Sequence, residues 1–157
     1  MPRASVAVEI DAPCEAVFAL VHDYDRRLEW DSMLSEARLL GGATAAGLGV
    51  RSLCVGTWKS GFLAMETEYV RFDRGRAAAV KLTNRPLFFQ RLGASIRHEP
   101  LDAGRSLTTY VYSFRARPAW LAPVLEPLMR TMITREIRAR LDALRSFMER
   151  GVPARIP

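Results

Sequence analysis

The longest hydrophobic pattern in the chain lies near its carboxyl end, in residues 118–150. Apolar side chains recur there in steps of three and four, which places them on one broad stripe of an α-helix. The stripe consists of Leu121, Val124, Leu125, Leu128, Met132, Ile133, Ile137, Leu141, Leu144 and Met148. At about 1.5 Å per residue such a helix is roughly 50 Å long, so it must cross the whole molecule. Pro118, Pro123 and Pro127 predict an irregular or kinked beginning.

The rest of the chain is dominated by alternation of apolar and polar residues. Residues 5–10 alternate and predict a first strand. Asp11 then offers an N-cap for a helix, and Asp23 offers one for a second short helix over residues 23–29. From residue 33 onward, turn sequences separate runs of about ten residues, which is typical of strands joined as hairpins. These turns fall at residues 41–49, 60–61, 73–75, 85–86 and 102–104.

These elements predict one architecture. About seven antiparallel strands and one long amphipathic helix bury most apolar surface when the sheet curls and the helix fills its concave side. The predicted fold class is therefore α+β, with two short helices after the first strand. We expect a single domain over residues 1–157, with an ordered core of about residues 4–150.

Charged positions predict which strand residues face the interior. Arg105, Arg115 and Arg117 share one face of the last strand, so the other face points inward. Its inward residues are Thr108, Tyr110, Tyr112 and Phe114. The same argument on the two preceding strands gives the inward residues Val80, Leu82, Asn84, Phe88, Gln90, Leu92, Ala94, Ile96 and His98. Over residues 51–72 neither of the two alternating sets of side chains is consistently apolar, which predicts a bulge. Trp58, Met65 and Tyr69 are the inward candidates in that stretch.

The predicted interior contains several polar side chains, and buried polar groups are costly unless they are hydrogen-bonded. They either satisfy one another in a packed core or line a cavity that holds water or a ligand. A mostly apolar wall with a few converging polar groups is typical of small-molecule pockets. Residues 120–133 carry few charges and two prolines, so we expect this half of the helix to roof the cavity with Leu125, Met129 and Met132.

His98 is the strongest acid–base candidate because the ordinary pKa of histidine lies near neutrality. With Tyr110 and Tyr112 on the neighbouring strand, it could move a proton on a β-keto substrate. The alternative is a hydrogen-bonded histidine at a strand end. For His22 the expected role is a cap at the end of the first helix. The chain has no nucleophile motif, phosphate-binding glycine loop or metal-binding motif, so no cofactor and no metal are predicted.

The net charge of +6 comes from arginines dispersed along the chain. No basic run is interleaved with aromatic residues, which argues against nucleic-acid binding. The charged residues of the long helix are expected on one solvated face, namely Arg130, Arg135, Arg138, Arg140, Arg145, Arg150, Glu126, Glu136, Asp142 and Glu149. No apolar run is long enough to span a bilayer and the opening residues do not form a signal peptide, so we expect a cytoplasmic protein without an integral membrane segment. Cys14 and Cys54 are expected to be reduced thiols.

Residues 8–18, Val-Glu-Ile-Asp-Ala-Pro-Cys-Glu-Ala-Val-Phe, followed by Asp23 and Trp30, resemble the start of the START-like, or birch-pollen-allergen-like (SRPBCC), superfamily. The resemblance is to its bacterial polyketide cyclase/dehydrase and lipid-transport branch, and residues 125–130 resemble the family's ending. It implies a helix-grip fold, in which seven strands wrap around the carboxyl-terminal helix with an apolar pocket between them. The chain departs from the common Trp-Pro, since Asp31 follows Trp30.

The resemblance implies a small hydrophobic ligand but leaves the function open. Members bind lipids, sterols, quinones, polyketides or plant hormones, and a minority catalyse cyclisation, aromatisation or dehydration. The first hypothesis is a binding protein that transports or sequesters such a molecule. The second is a polyketide cyclase or aromatase-type dehydratase that uses His98 with Tyr110 or Tyr112. The third is a dimeric accessory protein with a collapsed cavity.

Overall fold

The computed structural model describes residues 3–57 and 63–150. The elements follow one another as β1 (Arg3–Ile10), α1 (Cys14–Val21), α2 (Arg27–Trp30), β2 (Leu34–Leu39), β3 (Arg51–Gly56), β4 (Ala64–Asp73), β5 (Ala77–Leu82), β6 (Phe89–Asp102), β7 (Arg105–Ala116), a 3₁₀ turn (Ala119–Leu121) and α3 (Ala122–Glu149). The predicted order of strands and helices is confirmed.

The strands form one antiparallel sheet in the order β1-β7-β6-β5-β4-β3-β2. Successive strands from β2 to β7 are neighbours, as hairpin connections require, and β7 then pairs with β1. The sheet curls around α3, which packs mainly against β1 and β7. This is the α+β helix-grip fold that the sequence predicts.

The two halves of α3 have different environments. Its fully buried side chains, Ile137, Leu141, Leu144 and Phe147, all lie in the second half. They join the hydrophobic core with the inward residues of β1 and β7. The first half leaves large apolar side chains exposed, and it begins with the 3₁₀ turn and contains Pro127. The predicted irregular start is therefore confirmed.

The two predicted aspartate caps are wrong. Helix α1 begins at Cys14, after Pro13 at the N-cap position, so Asp11 is too far away to reach the first free N–H groups. The backbone N–H of Asp11 donates to Glu149 Oε2 at 3.0 Å, at the far end of α3. Asp23 likewise does not cap α2, because its Oδ1 accepts from the backbone N–H of Asp25 in a tight turn.

Two of the register shifts in the sheet decide which residues of β4 and β6 face the interior. The expected bulge in the middle of the chain is present as a register shift between Tyr69 and Arg71. A second shift lies at the start of β6, after Phe88, whose φ of 66° is left-handed. This backbone turn makes Phe89 the buried residue, 6% exposed, and leaves Phe88 40% exposed. The predicted alternation is therefore wrong at this point and correct further along β6, where Ile96 and His98 are buried.

Candidate functional site

A cavity lies between the concave face of the sheet and the first half of α3. It has an outer compartment of about 390 Å³ and an inner compartment of about 170 Å³. The two adjoin because they share wall residues, namely Leu63, Met65, Leu92, Ala94, Tyr110, Glu136 and Arg140. The first half of α3 roofs the outer compartment, as the sequence predicts.

The outer compartment is apolar and opens to solvent. Its walls include Leu87, Phe88, Phe89, Tyr112, Leu125, Leu128, Met129, Met132 and Ile133. Leu87, Leu128 and Met132 are 66%, 58% and 56% exposed, so they form the rim of the opening.

The inner compartment mixes aliphatic and polar walls. Its polar side chains are His22, Tyr24, Arg27, Ser52, Thr67, Tyr69, Ser95, Tyr110, Glu136 and Arg140. They come from α2, β3, β4, β6, β7 and α3 and from the segment between α1 and α2, so the fold brings together residues that are far apart in the chain. The cavity is therefore apolar at its mouth and polar at its inner end.

A hydrogen-bonded chain of three side chains borders the inner compartment. His22 Nδ1 lies 2.8 Å from Tyr69 Oη, which lies 3.0 Å from Tyr24 Oη. His22 Nε2 is buried and has no hydrogen-bond partner within residues 3–57 and 63–150. Burial, followed by the charges of Arg27 and His98, lowers the pKa of His22 to about 3. Burial also raises the pKa of Tyr69, so both His22 and Tyr69 are uncharged at neutral pH.

A buried ion network holds the same end of the cavity together. Asp31 Oδ2 lies 2.9 Å from Arg27 Nε and 3.0 Å from Arg140 Nε, while Asp31 Oδ1 accepts from the backbone N–H of Met33. Burial alone would raise the pKa of Asp31, but Arg140 and Arg27 outweigh it and lower that pKa. The network joins α2 to α3 and positions two guanidinium groups at the inner compartment.

The structure places most predicted ligand-binding residues on the cavity wall. These are Met65, Tyr69, Phe88, Ile96, Tyr110, Tyr112, Leu125, Met129 and Met132. Leu82, Asn84, Gln90 and Phe114 line neither compartment. Trp58 lies outside the described residues.

The predicted residues that do not line the cavity take part in strand pairing or core packing instead. Asn84 accepts from the N–H of Glu66 and donates to the carbonyl oxygen of Ala64, both at 3.0 Å, so it extends the pairing beside β4. Phe114 has no exposed surface and belongs to the core. Leu82 packs at the edge of that core, and Gln90 lies within the bulge of β6.

His98 lies in the core and lines neither compartment. Its Nδ1 is 2.9 Å from Thr108 Oγ1, and burial lowers the pKa of His98 to about 4. Tyr112 lines the outer compartment, but its hydroxyl donates to the carbonyl oxygen of Arg130. Of the three predicted acid–base residues, Tyr110 is the one that borders both compartments.

Sequence reasoning missed the polar inner end, in particular His22, Tyr24, Arg27 and Arg140. Arg140 was expected on the solvated face of α3, and this expectation is wrong. It follows Ile137 by three residues and precedes Leu144 by four, so helical spacing places it on the buried stripe. Glu136 also borders the cavity, contrary to expectation.

Acidification is expected to destabilise the fold through its two buried histidines. Above the ordinary pKa of 6.5 they are neutral in both states. Below it, only the unfolded chain binds the protons until the pH reaches the folded pKa values, about 3 for His22 and about 4 for His98. Each histidine should therefore remove about 2 kcal/mol from the free energy of unfolding between about pH 7 and pH 5. Urea unfolding at both pH values tests this.

The control for the pH experiment is His98→Gln, which retains a hydrogen-bonding partner for Thr108. This variant should lose about half of the wild-type pH dependence, because one titrating group is removed. An unchanged dependence in His98→Gln would contradict the assignment of that proton to His98.

Comparisons with known proteins agree with this geometry. A family model described as polyketide cyclase / dehydrase and lipid transport matches residues 1–149. The structure is similar to the ZhuI aromatase/cyclase from Streptomyces sp. R1128, with a TM-score of 0.79, 17% identity and coverage of 96% of this chain and 95% of that chain. It is also similar to a START superfamily protein from Mycobacterium smegmatis, with a TM-score of 0.74, 13% identity and coverage of 94% and 97%.

A third similar structure is the di-domain ARO/CYC protein BexL from the BE-7585A biosynthetic pathway, with a TM-score of 0.79 and 15% identity. The match covers 95% of this chain and 47% of that one, so the chain spans about half the length of BexL. At these identities the likeness concerns the fold. A search of curated protein sequences finds no match. Within the described residues, no helix is long and apolar enough to cross a bilayer.

Proposed function

Because the chain belongs to the polyketide cyclase / dehydrase and lipid transport family, we propose that it binds a small hydrophobic molecule with a polar end. The molecule would lie in the cavity between the sheet and α3. The observation that carries this proposal is the segregation of the cavity walls, which are apolar at the mouth and polar at the inner end. A ligand that is apolar along most of its length and oxygen-bearing at one end matches both walls.

The outer compartment supports binding of an apolar body. Its flexible methionines, Met129 and Met132, can adapt to ligands of different shape. Burying apolar surface against such walls contributes roughly 25 cal/mol per Å². Lipids, quinones and polyketides have bodies of this kind.

The inner compartment supports recognition of an oxygen. Arg27, Arg140 and the tyrosine hydroxyls offer hydrogen-bond donors. A carbonyl, enol or phenol oxygen placed here would accept hydrogen bonds from these groups. The proposed ligand therefore enters with its oxygen-bearing end first.

An environment-sensitive apolar dye is expected to bind the native protein stoichiometrically, because the cavity is preformed. Fatty acids or flat polycyclic ketones should displace the dye, whereas equally long alkanes without an oxygen should displace it less well. Fluorescence titration measures both effects. Dye binding that appears only in partly unfolding concentrations of urea would contradict the proposal.

A polyketide cyclase or aromatase-type dehydratase is the second candidate, and one observation favours it. The hydrogen-bonded pair of His22 and Tyr69 borders the inner compartment and could exchange a proton with a β-keto substrate. With its pKa lowered to about 3, His22 is neutral at pH 7 and a weak base, so the Tyr69 hydroxyl that it contacts would be the donor to a substrate carbonyl. These two residues take the role that the sequence suggested for His98. Turnover of a linear poly-β-ketone by the wild-type protein would favour this candidate over binding alone.

A further inference from the structure

The rim of the cavity carries an exposed group of large apolar side chains, which we call the mouth surface. It consists of Leu87, Phe88, Leu128 and Met132, which line the outer compartment, and of the exposed Trp120 and Val124, which precede Leu128 by eight and four residues. Trp120 is 80% exposed and Val124 is 69% exposed, although neither is needed to close the core. Large exposed apolar patches mark interaction sites.

The positive charge of the chain is concentrated in the same segments. Residues 83–91 and 115–135 contain six arginines and one glutamate, a net charge of +5 out of +6 for the whole chain. The arginines are Arg85, Arg91, Arg115, Arg117, Arg130 and Arg135. The two segments touch, because Arg117 Nη2 donates to the carbonyl oxygen of Arg85 at 2.7 Å. The glutamate, Glu126, accepts from the backbone N–H of Ala116.

Arginines at the opposite end of β6 and β7 have acidic partners, whereas these six do not. At the opposite end of β6 and β7, Arg97 lies 4.0 Å from Glu99, and Arg105 lies 3.2 Å from Asp102. Among the ion pairs of residues 3–57 and 63–150, none involves these six arginines, which share the chain segments of the mouth surface. Their charge is therefore available to an anionic partner.

We propose that the mouth surface docks on an anionic lipid bilayer. Tryptophan and arginine are favoured at the boundary between lipid head groups and acyl chains, and apolar side chains between them can insert. A second copy of the chain fits this surface poorly, since it would bring two clusters of unpaired arginines together. Docking on a bilayer also connects the cavity opening directly to the acyl-chain region. The proposal needs no bound ligand, so it goes beyond the proposed function.

Vesicle sedimentation tests the proposal. The wild-type protein is expected to bind vesicles made of equal parts phosphatidylglycerol and phosphatidylcholine, and to bind pure phosphatidylcholine vesicles much more weakly. Raising the salt from about 0.05 to about 0.5 M should release it, because surface attraction is screened. Trp120→Ala should weaken binding about tenfold. Arg130→Gln with Arg135→Gln should weaken it about thirtyfold, at about fivefold per arginine.

The matched control is Arg97→Gln with Arg105→Gln, which removes the same charge at the other end of the sheet. It should keep most of the vesicle affinity. Equal losses in both double variants would overturn the proposal, as would salt-resistant binding to phosphatidylcholine alone. A dimer that dissociates in Trp120→Ala, with no vesicle binding, would also overturn it and assign the surface to a second copy. Dye binding is measured in all variants and is expected to be unchanged. A loss of vesicle binding with unchanged dye binding therefore concerns the mouth surface and not the cavity.

Discussion

Replacing Leu144 by alanine is expected to lower the free energy of unfolding by about 2–5 kcal/mol and to leave dye affinity unchanged. Leu144 has no exposed surface and lies in the second half of α3, where the helix packs on the core. Removing its side chain leaves a cavity that the rigid neighbours cannot fill. Urea midpoints of the variant and the wild type measure the loss.

The matched control is Met129→Ala, on the same helix but in its first half. Met129 is half-buried and borders the outer compartment, so its truncation removes fewer contacts and enlarges a space that already exists. It should cost less stability than Leu144→Ala and should change the dye affinity or the preferred ligand size. Equal stability losses with unaltered dye binding in both variants would show that the first half of α3 is ordinary core.

The difference between the two halves of α3 could be predicted because it depends on local sequence. Apolar spacing, prolines and the distribution of charges are all visible within the helix itself. The strand order was also accessible, since short turns between alternating segments leave hairpins as the simplest connection. The sheet and the roof of the cavity therefore follow from patterns that span few residues.

The orientation of individual strand residues was harder to predict where the backbone is irregular. Phe88 and Phe89 are adjacent and chemically identical, so only the left-handed backbone at Phe88 and the following bulge decide which is buried. A shift of one residue exchanges the two faces of a strand. Alternation alone could not locate that shift, and the expectation for Gln90 failed with it.

The inner end of the cavity could not be predicted because its residues meet only through the tertiary fold. His22 and Tyr69 are 47 residues apart, and Asp31 and Arg140 are farther apart still. His22 does lie at the C-cap of α1, as the sequence predicts, but the hydrogen bond of its side chain depends on a partner in β4. Strand alternation correctly placed His98 inside, which made it a catalytic candidate. The interior around His98 is packed core and not cavity. Two spacings carried a local signal: Arg27 lies four residues before Asp31, and Arg140 lies on the buried stripe of α3.

Replacing Asp31 by asparagine is expected to destabilise the protein by about 3–5 kcal/mol, because it leaves two guanidinium groups without their buried counter-charge. The side chain of Asp31 has no exposed surface, so solvent cannot substitute for the lost carboxylate. Asparagine keeps the size of the side chain and an oxygen for the N–H of Met33, which isolates the charge as the cause. Urea unfolding near pH 7 measures the loss.

Two controls and the pH dependence test this explanation. Asp102→Asn removes an exposed partner of Arg105 and should cost less than about 1 kcal/mol. Because the folded pKa of Asp31 is lowered, its contribution is complete above the unfolded pKa of about 4 and is lost as the pH falls towards the folded value. The gap between the wild type and Asp31→Asn should therefore shrink below about pH 4. A gap that stays constant to lower pH would assign the loss to packing, and the arginines would then not depend on Asp31 to remain at the inner end of the cavity.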